Sequence, residues 1–321
     1  MSLLSLIAVF LLEQLQPLDY RRIVAEPLST WADFVESQFN AGAFRHGLLA
    51  WCLAVLLPVA LVGGVYAALY ALNPLFGLLL NIGVLYLTMG FRQFSHHYTE
   101  IQLALREEDL SRARQLLETW QGRSAYNLGS SAIARLSIEG ALAASHRHVF
   151  GVLAWFSVCA ALGLGPAGAV VFRMSEFVAR HWQRASQQPA SAALQRVSQE
   201  AWTVLNWLPA RLTAMSFAIV GNFEEAIEGW RFHAQNFPND NDGVLLAATA
   251  GAINVRLGGE ALRPREAGDS GWPSDGDLDS GVTPGRPAEV GHLRSVVGLV
   301  WRAVVVWMLL LALLTLARLL G

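Results

Sequence analysis

Lysine is absent from this chain of 321 residues, so all 23 basic side chains are arginine. That excludes a Walker A phosphate loop, which needs its lysine, and Schiff-base chemistry on a lysine amine. Charge of either sign is sparse. Charged residues make up 15% of the chain, against about 25% in a soluble domain. Cysteine is nearly absent too: Cys52 and Cys159 both lie in apolar runs, with no Cys-x-x-Cys and no disulfide framework. Both are expected as buried thiols. The formal net charge of −2 supplies no basic excess, so no nucleic-acid partner is expected. What is present is apolar: 54% hydrophobic residues and a mean hydropathy of +0.38. These values point to an integral membrane protein.

The apolar runs set the expected topology. Met1–Leu18 is largely apolar, with Glu13 and Gln14 near its end. It lacks a positive n-region and a small-x-small site before Pro17, so it reads as a retained membrane helix. Trp31, Phe34, Val35 and Phe39 recur at helical spacing within Asp19–His46, which predicts a helix lying on the membrane surface. Gly47–Leu72 is long enough to span a bilayer core of about 30 Å. Asn73-Pro74 signals a turn, and Leu75–Gly90 returns as a second, shorter span. Phe91–Phe150 is the polar, arginine-bearing region and is placed in the cytoplasm as a helical hairpin of about 91–150. Asp109 is expected to cap a helix there, and Gly122 to stop one.

Gly151–Arg173 is broken by Gly163, Gly165, Pro166 and Gly168. It is either one kinked span or a re-entrant pair; the pair keeps the arginine-rich flanks on one side. Leu205–Gly221 looks too short and too polar at its start for a span. Residues 263–292 change to Pro, Gly, Asp and Ser and read as a flexible linker. Asp275-x-Asp277-x-Asp279 within it imitates a calcium loop, but Ser280 and Arg286 stand where the loop needs Gly and Glu. Residues 293–321 complete the chain as a transmembrane helix.

Few residues carry recognisable chemistry. His96 and Glu100 share a helical face, a surface pair more often than a dyad. No histidine pair has i, i+4 spacing, and no Asp-Asp or Asp-x-Asp cluster is expected within the ordered part, so no metal site is expected. No serine sits in a Gly-x-Ser-x-Gly elbow. Arg211 and Arg256 are the strongest candidates, because a guanidinium fork fits phosphate or carboxylate. Arg256 stands beside Gly258-Gly259, whose backbone amides can reach an anion. Arginine as a cap on helix carbonyls is the competing reading for both.

The block running Asn206-x-x-Pro209-Ala210-Arg211-Leu212-Thr213-Ala214, Asn241-x-Gly243 and Ala250-Gly-Ala-x-x-Val-Arg256-Leu-Gly-Gly259 resembles the CobD/CbiB family of cobalamin-biosynthesis membrane proteins. Glu107–Arg114, Gly122-Arg123 and Glu139 share the resemblance. It implies an adenosylcobinamide-phosphate synthase-like activity. That activity is ATP-dependent amide formation between adenosylcobyric acid and (R)-1-amino-2-propanol or its O-phosphate. The family's Glu-Asn and following Asp fall here at His146, Arg147 and Phe150, and its paired aspartates at Trp202 and Thr203. These are the acids expected to hold magnesium or activate a carboxylate. The His146–Trp155 run, Gly165-Pro166, Leu205–Asn222 and Trp230 are instead similar to AmpE. That membrane protein is linked to β-lactamase induction through cell-wall-fragment signalling.

Three functional classes therefore stay open: a corrinoid-pathway enzyme, a non-catalytic AmpE-like sensor or accessory protein, and a membrane scaffold that binds a partner through the Phe91–Phe150 hairpin. The expected fold is all-α: a polytopic bundle, residues 1–262, with broken or re-entrant helices and the motif block at 206–259. The expected ligand site is Asn206, Arg211, Asn241, Gly243, Arg256, Gly258 and Gly259, with Glu139 as the one catalytic candidate. No resident cofactor is expected; ATP and magnesium enter only if the synthase chemistry runs. Membrane lipid, a corrinoid and a membrane protein are the expected partners, in a multi-pass protein of the bacterial inner membrane.

Overall fold

The computed structural model describes residues 2–15, 20–39, 43–185, 192–237, 239–263, 271–272 and 282–320. Pro17 and most of the 263–292 linker, including Asp275, Asp277 and Asp279, lie outside them. The described chain is almost wholly helical, as expected for an all-α membrane protein. Its strand-type pairings are two isolated bridges, Ser124 with Gly271 and Val255 with Arg286. It divides into two compact units. The first comprises Met1–Arg92, Arg147–Pro209 and Leu310–Gly321; the second comprises Gln93–His146 and Ala210–Leu309.

Three helices are long and apolar enough to cross a membrane: Phe44–Leu72, Ala192–Val220 and Val290–Ala317. At 29 residues, the first reaches about 43 Å at roughly 1.5 Å per residue, more than the ~30 Å core demands. Leu61, Leu79 and Leu313 stay open to the surroundings, stripes that only lipid covers without penalty. The second span corrects the sequence reading. Leu205–Gly221 is not a short separate segment but lies mostly within a 29-residue helix that carries Pro209 in its interior.

In the first unit, the hairpin between Phe44–Leu72 and helix Pro74–Thr88 forms at the expected turn. The Asn73 side chain accepts the Leu75 amide at 2.9 Å, and Pro74 occupies the first turn, where its missing N–H is harmless. The N-terminal helix, Ser2–Leu15, has 14 residues and packs on Pro74–Thr88. Its described part belongs with the shorter apolar helices, and the rest of Met1–Leu18 lies outside the described residues. Helix Glu26–Phe39 does not spread its whole apolar face on lipid. Ala32 and Val35 are buried in the unit's core with Ala50, Ala54, Met174 and Trp182, and Trp31 and Phe39 pack against them. Gly151–Arg173 resolves into two helices, Gly151–Ala161 and Ala167–Ala185, packed together after a turn with Gly163 and Gly165 at positive φ. The kinked single span is thereby set aside. Cys52 and Cys159 are half-buried rather than buried.

Two prolines inside helices share one device. A proline removes the hydrogen bond to the carbonyl four residues back. Pro58 does so at Ala54, in the middle of a π-helical turn Cys52–Leu56, and the Trp31 indole donates to that carbonyl at 3.2 Å. Pro209 does so at Leu205, whose carbonyl accepts from the Trp155 indole at 3.0 Å. Replacing Trp155 with Phe keeps most of the ring and deletes the donor. A thermal unfolding series in detergent is expected to show a loss of about 1 kcal/mol; an unchanged midpoint would mean that the indole N–H does not support the proline break.

In the second unit, Asp109 caps helix Leu110–Gln121 through the Arg112 amide, and Gly122 ends it at φ 71°, both as expected. His97 stacks on Trp120 with ring centroids 6.3 Å apart. The range 91–150, expected as a hairpin, holds a third helix, Ser130–Ser145, which is buried along nearly its whole length. Helices Phe223–His233 and Asp240–Ile253 pack backbone to backbone, because Gly229 faces the Ala247 carbonyl and Gly251 the Glu225 carbonyl.

Candidate functional site

The buried helix Ser130–Ser145 carries Arg135 and Glu139 one turn apart, with Arg135 Nε 3.3 Å from Glu139 Oε1. Glu139 is fully buried. Its Oε1 accepts the amides of Gly258 at 2.7 Å and Gly259 at 2.9 Å, and its Oε2 accepts that of Ala261 at 3.0 Å. Arg135 also donates to Glu260. Gly259 takes the left-handed conformation, φ 80°, that aims successive amides at one anion. A side chain at Gly258 would collide with the Arg135 guanidinium and the Glu260 carboxylate, so glycine is needed there for close approach. Burial pushes the Glu139 carboxyl above its usual range and the neighbouring Glu260 adds to this, while Arg135 and the amides act against it.

The amides that the sequence offered to a ligand are thus engaged by a carboxylate of the chain itself. Glu139, the one catalytic candidate, holds the glycine loop in place, with both oxygens committed to backbone amides. The far side of the loop is held as well. The Leu257 amide donates to Thr283 Oγ1 at 2.8 Å, and the Thr283 amide donates to the Leu257 carbonyl at 3.1 Å. The Arg256 amide donates to the Arg286 carbonyl at 2.8 Å. Residues 282–289, assigned to the linker, therefore include a stretch docked along 254–257. The Arg256 side chain is half-buried and lies 3.5 Å from the Gly285 carbonyl.

Arg211, on helix Ala192–Val220, donates from Nη1 to Asn241 Oδ1 at 3.1 Å. The structure brings this predicted pair together. Asn241 is flanked by Asp240 and Asp242, an Asp-x-Asp that the sequence reading passed over. Asp242 is buried and accepts from Asn239 Nδ2 at 3.3 Å, and Asp240 acts electrostatically on Arg211. Gly243 packs against the Ala234 carbonyl, where no side chain fits. Asn206 is buried on the same helix as Arg211, in the part belonging to the first unit. His146 is a core residue, its Nδ1 2.9 Å from Thr213 Oγ1. His96 and Glu100 are a surface pair 3.6 Å apart.

Residues missed from sequence are Arg135, Glu260, Thr283 and Asp240. Arg123, which shares the resemblance, donates to the Arg263 carbonyl at 3.0 Å and lies 4.8 Å over the Trp272 ring. The i, i+4 spacing of Arg135 and Glu139 was readable; the partners that meet them were not.

The family model described as CobD/Cbib protein matches residues 24–280. A cobalamin biosynthesis protein CobD of Stutzerimonas stutzeri is 33% identical over 316 residues, 96% of each chain. A protein of the same name from Chromobacterium violaceum is 32% identical over 217 residues, 66% of this chain and 64% of that one. The cobalamin biosynthesis protein CbiB of Salmonella typhimurium is 26% identical over 244 residues, 74% and 73% of the two chains. No solved structure matches the chain.

Proposed function

The chain belongs to the CobD/CbiB family, and from that membership we propose that it serves cobalamin biosynthesis as a multi-pass protein of the bacterial inner membrane. The finer reading is an amide synthase that joins adenosylcobyric acid to (R)-1-amino-2-propanol or its O-phosphate with ATP. The observation that carries it is the 33% identity with a CobD protein across 96% of both chains. Arg211, oriented by Asn241, and the half-buried Arg256 supply the forked donors that a carboxylate or phosphate substrate needs. Glu139 and Arg135 act through the backbone, fixing the loop that carries Arg256 and Gly258.

ATP chemistry usually brings magnesium held by carboxylates. Among the described residues, no group of three or more His, Cys, Asp or Glu is gathered as a ligand set. The described residues therefore supply no such donor set, and no step is routed through the ion. One observation favours a second reading, an AmpE-like accessory protein: both oxygens of Glu139 are occupied by amides rather than poised toward a substrate.

Complementation separates the two. In a strain lacking its own CobD/CbiB protein, the synthase reading expects growth on cobyric acid, and expects Arg211→Ala to abolish that growth while the protein stays in the membrane. Growth on cobinamide alone, with the wild-type protein found in the membrane, would reject the synthase and leave the accessory role.

A further inference from the structure

The first unit holds a second ionic cluster that the proposed reaction does not use. Glu176, 2% exposed, lies on helix Ala167–Ala185 between Arg173 and Arg180. Arg173 Nη1 donates to Glu176 Oε2 at 2.9 Å; Arg180 Nε lies 2.5 Å from Oε1, and its Nη2 donates to Oε2 at 3.2 Å. Arg173 Nη2 donates to the Tyr20 hydroxyl at 2.6 Å, and its guanidinium sits 5.8 Å over the Tyr20 ring. The His148 ring meets Tyr20 edge-on at 6.2 Å. Arg147, in the π-helical turn His146–Phe150, adds positive potential at both Glu176 and His148.

Two features of this cluster ask for an acceptor. Arg173 is 4% exposed. A guanidinium has five N–H donors, and Arg173 makes one hydrogen bond from each terminal nitrogen among the described residues. His148 Nδ1 is buried and finds no partner among the described residues. Buried polar groups of this kind are normally satisfied. We propose that Arg173 and His148 form a binding site for a phosphate group, in the field of Arg147 and Arg180 and without a metal ion. Glu176 is the chain's own anion at the same place and competes with the ligand. The Arg180 side chain is 40% exposed.

The electrostatics agree with the geometry. Burial favours the protonated Glu176 carboxyl, yet Arg180, Arg173 and Arg147 outweigh it and hold it at about 2. Burial first, then Arg173, holds His148 well below the usual imidazole range, so at neutral pH the ring is uncharged and presents a single N–H. With that proton on Nδ1, the ring donates to one phosphate oxygen and the Arg173 guanidinium to another.

The phosphate comes either from a soluble phosphate or from a lipid headgroup. The test titrates the full chain in phosphatidylcholine nanodiscs with inorganic phosphate, followed by calorimetry. In parallel, it compares thermal stability in discs with and without phosphatidic acid. Arg173→Lys keeps the charge and loses the fork; it is expected to weaken binding about tenfold. His148→Phe weakens it in the same direction, and Glu176→Gln strengthens it. Stabilisation confined to phosphatidic acid discs and lost in Arg173→Lys supports the site with lipid as its source. Absence of binding in both arms, or binding indifferent to Arg173→Lys and His148→Phe, overturns it. His148→Phe removes no charge, so it remains informative if Arg173→Lys does not fold.

Discussion

Glu139→Ala is expected to cost about 3–5 kcal/mol and to be the most damaging single change in the second unit. The reason is the number of donors that lose one acceptor. The amides of Gly258, Gly259 and Ala261 all point at this carboxylate in a buried place, and water does not replace it. Arg135 keeps Glu260, so the loss falls on the backbone loop more than on the arginine. Glu139→Gln retains one oxygen and should lie between wild type and alanine. Arg135→Met tests the opposite sign, since it leaves Glu139 and Glu260 buried together without their shared cation. Its defect should ease in acid. The folded Glu139 carboxyl titrates above its usual value, so protonation favours the fold below the unfolded pKa. That contribution is lost as pH rises through the folded pKa. Thermal unfolding of the three variants across acid to neutral pH checks the set. A Glu139→Ala midpoint equal to wild type would show that the loop is held from elsewhere.

What could be read in the sequence was local. Asn73-Pro74, Asp109 and Gly122 are short-range signals, because cap and stop residues act on amides and carbonyls within one turn. The glycine pair at 258–259 was recognisable as a place of close backbone approach. Its partner was not, because Glu139 lies 119 residues earlier than Gly258 and no spacing rule links them. Leu205–Gly221 was read as too short for a span because its helix begins upstream, in the polar stretch from Ala192. The helix continues through Pro209, and Trp155, 50 residues away from Leu205, covers the carbonyl that the proline leaves open. Arg173, Glu176 and Arg180 stand at i, i+3 and i+7, yet the arginines read only as a basic flank of the broken apolar run. Their burial is a property of the packed unit, not of the spacing.

Gly251→Ala is the second large effect expected, and it bears on Arg211. A Cβ at Gly251 would collide with the Glu225 carbonyl oxygen and crowd the Ala226 amide, atoms of backbone that cannot rotate away. The helices Phe223–His233 and Asp240–Ile253 must then separate, at about 1–3 kcal/mol for overpacking. Asn241 sits at the start of the second of these helices and holds Arg211 at 3.1 Å. Moving that helix loosens the pair without touching either residue. Gly83→Ala is the matching control, a helical glycine with nothing within 4 Å of the added carbon, and should leave stability unchanged or slightly raised. Growth on cobyric acid should fall for Gly251→Ala and not for Gly83→Ala. Equal stability and growth for the two variants would mean that the close helix contact does not set the position of Asn241. A fall in growth with unchanged stability would instead show that a small displacement of Asn241, rather than loss of the fold, is what Arg211 feels.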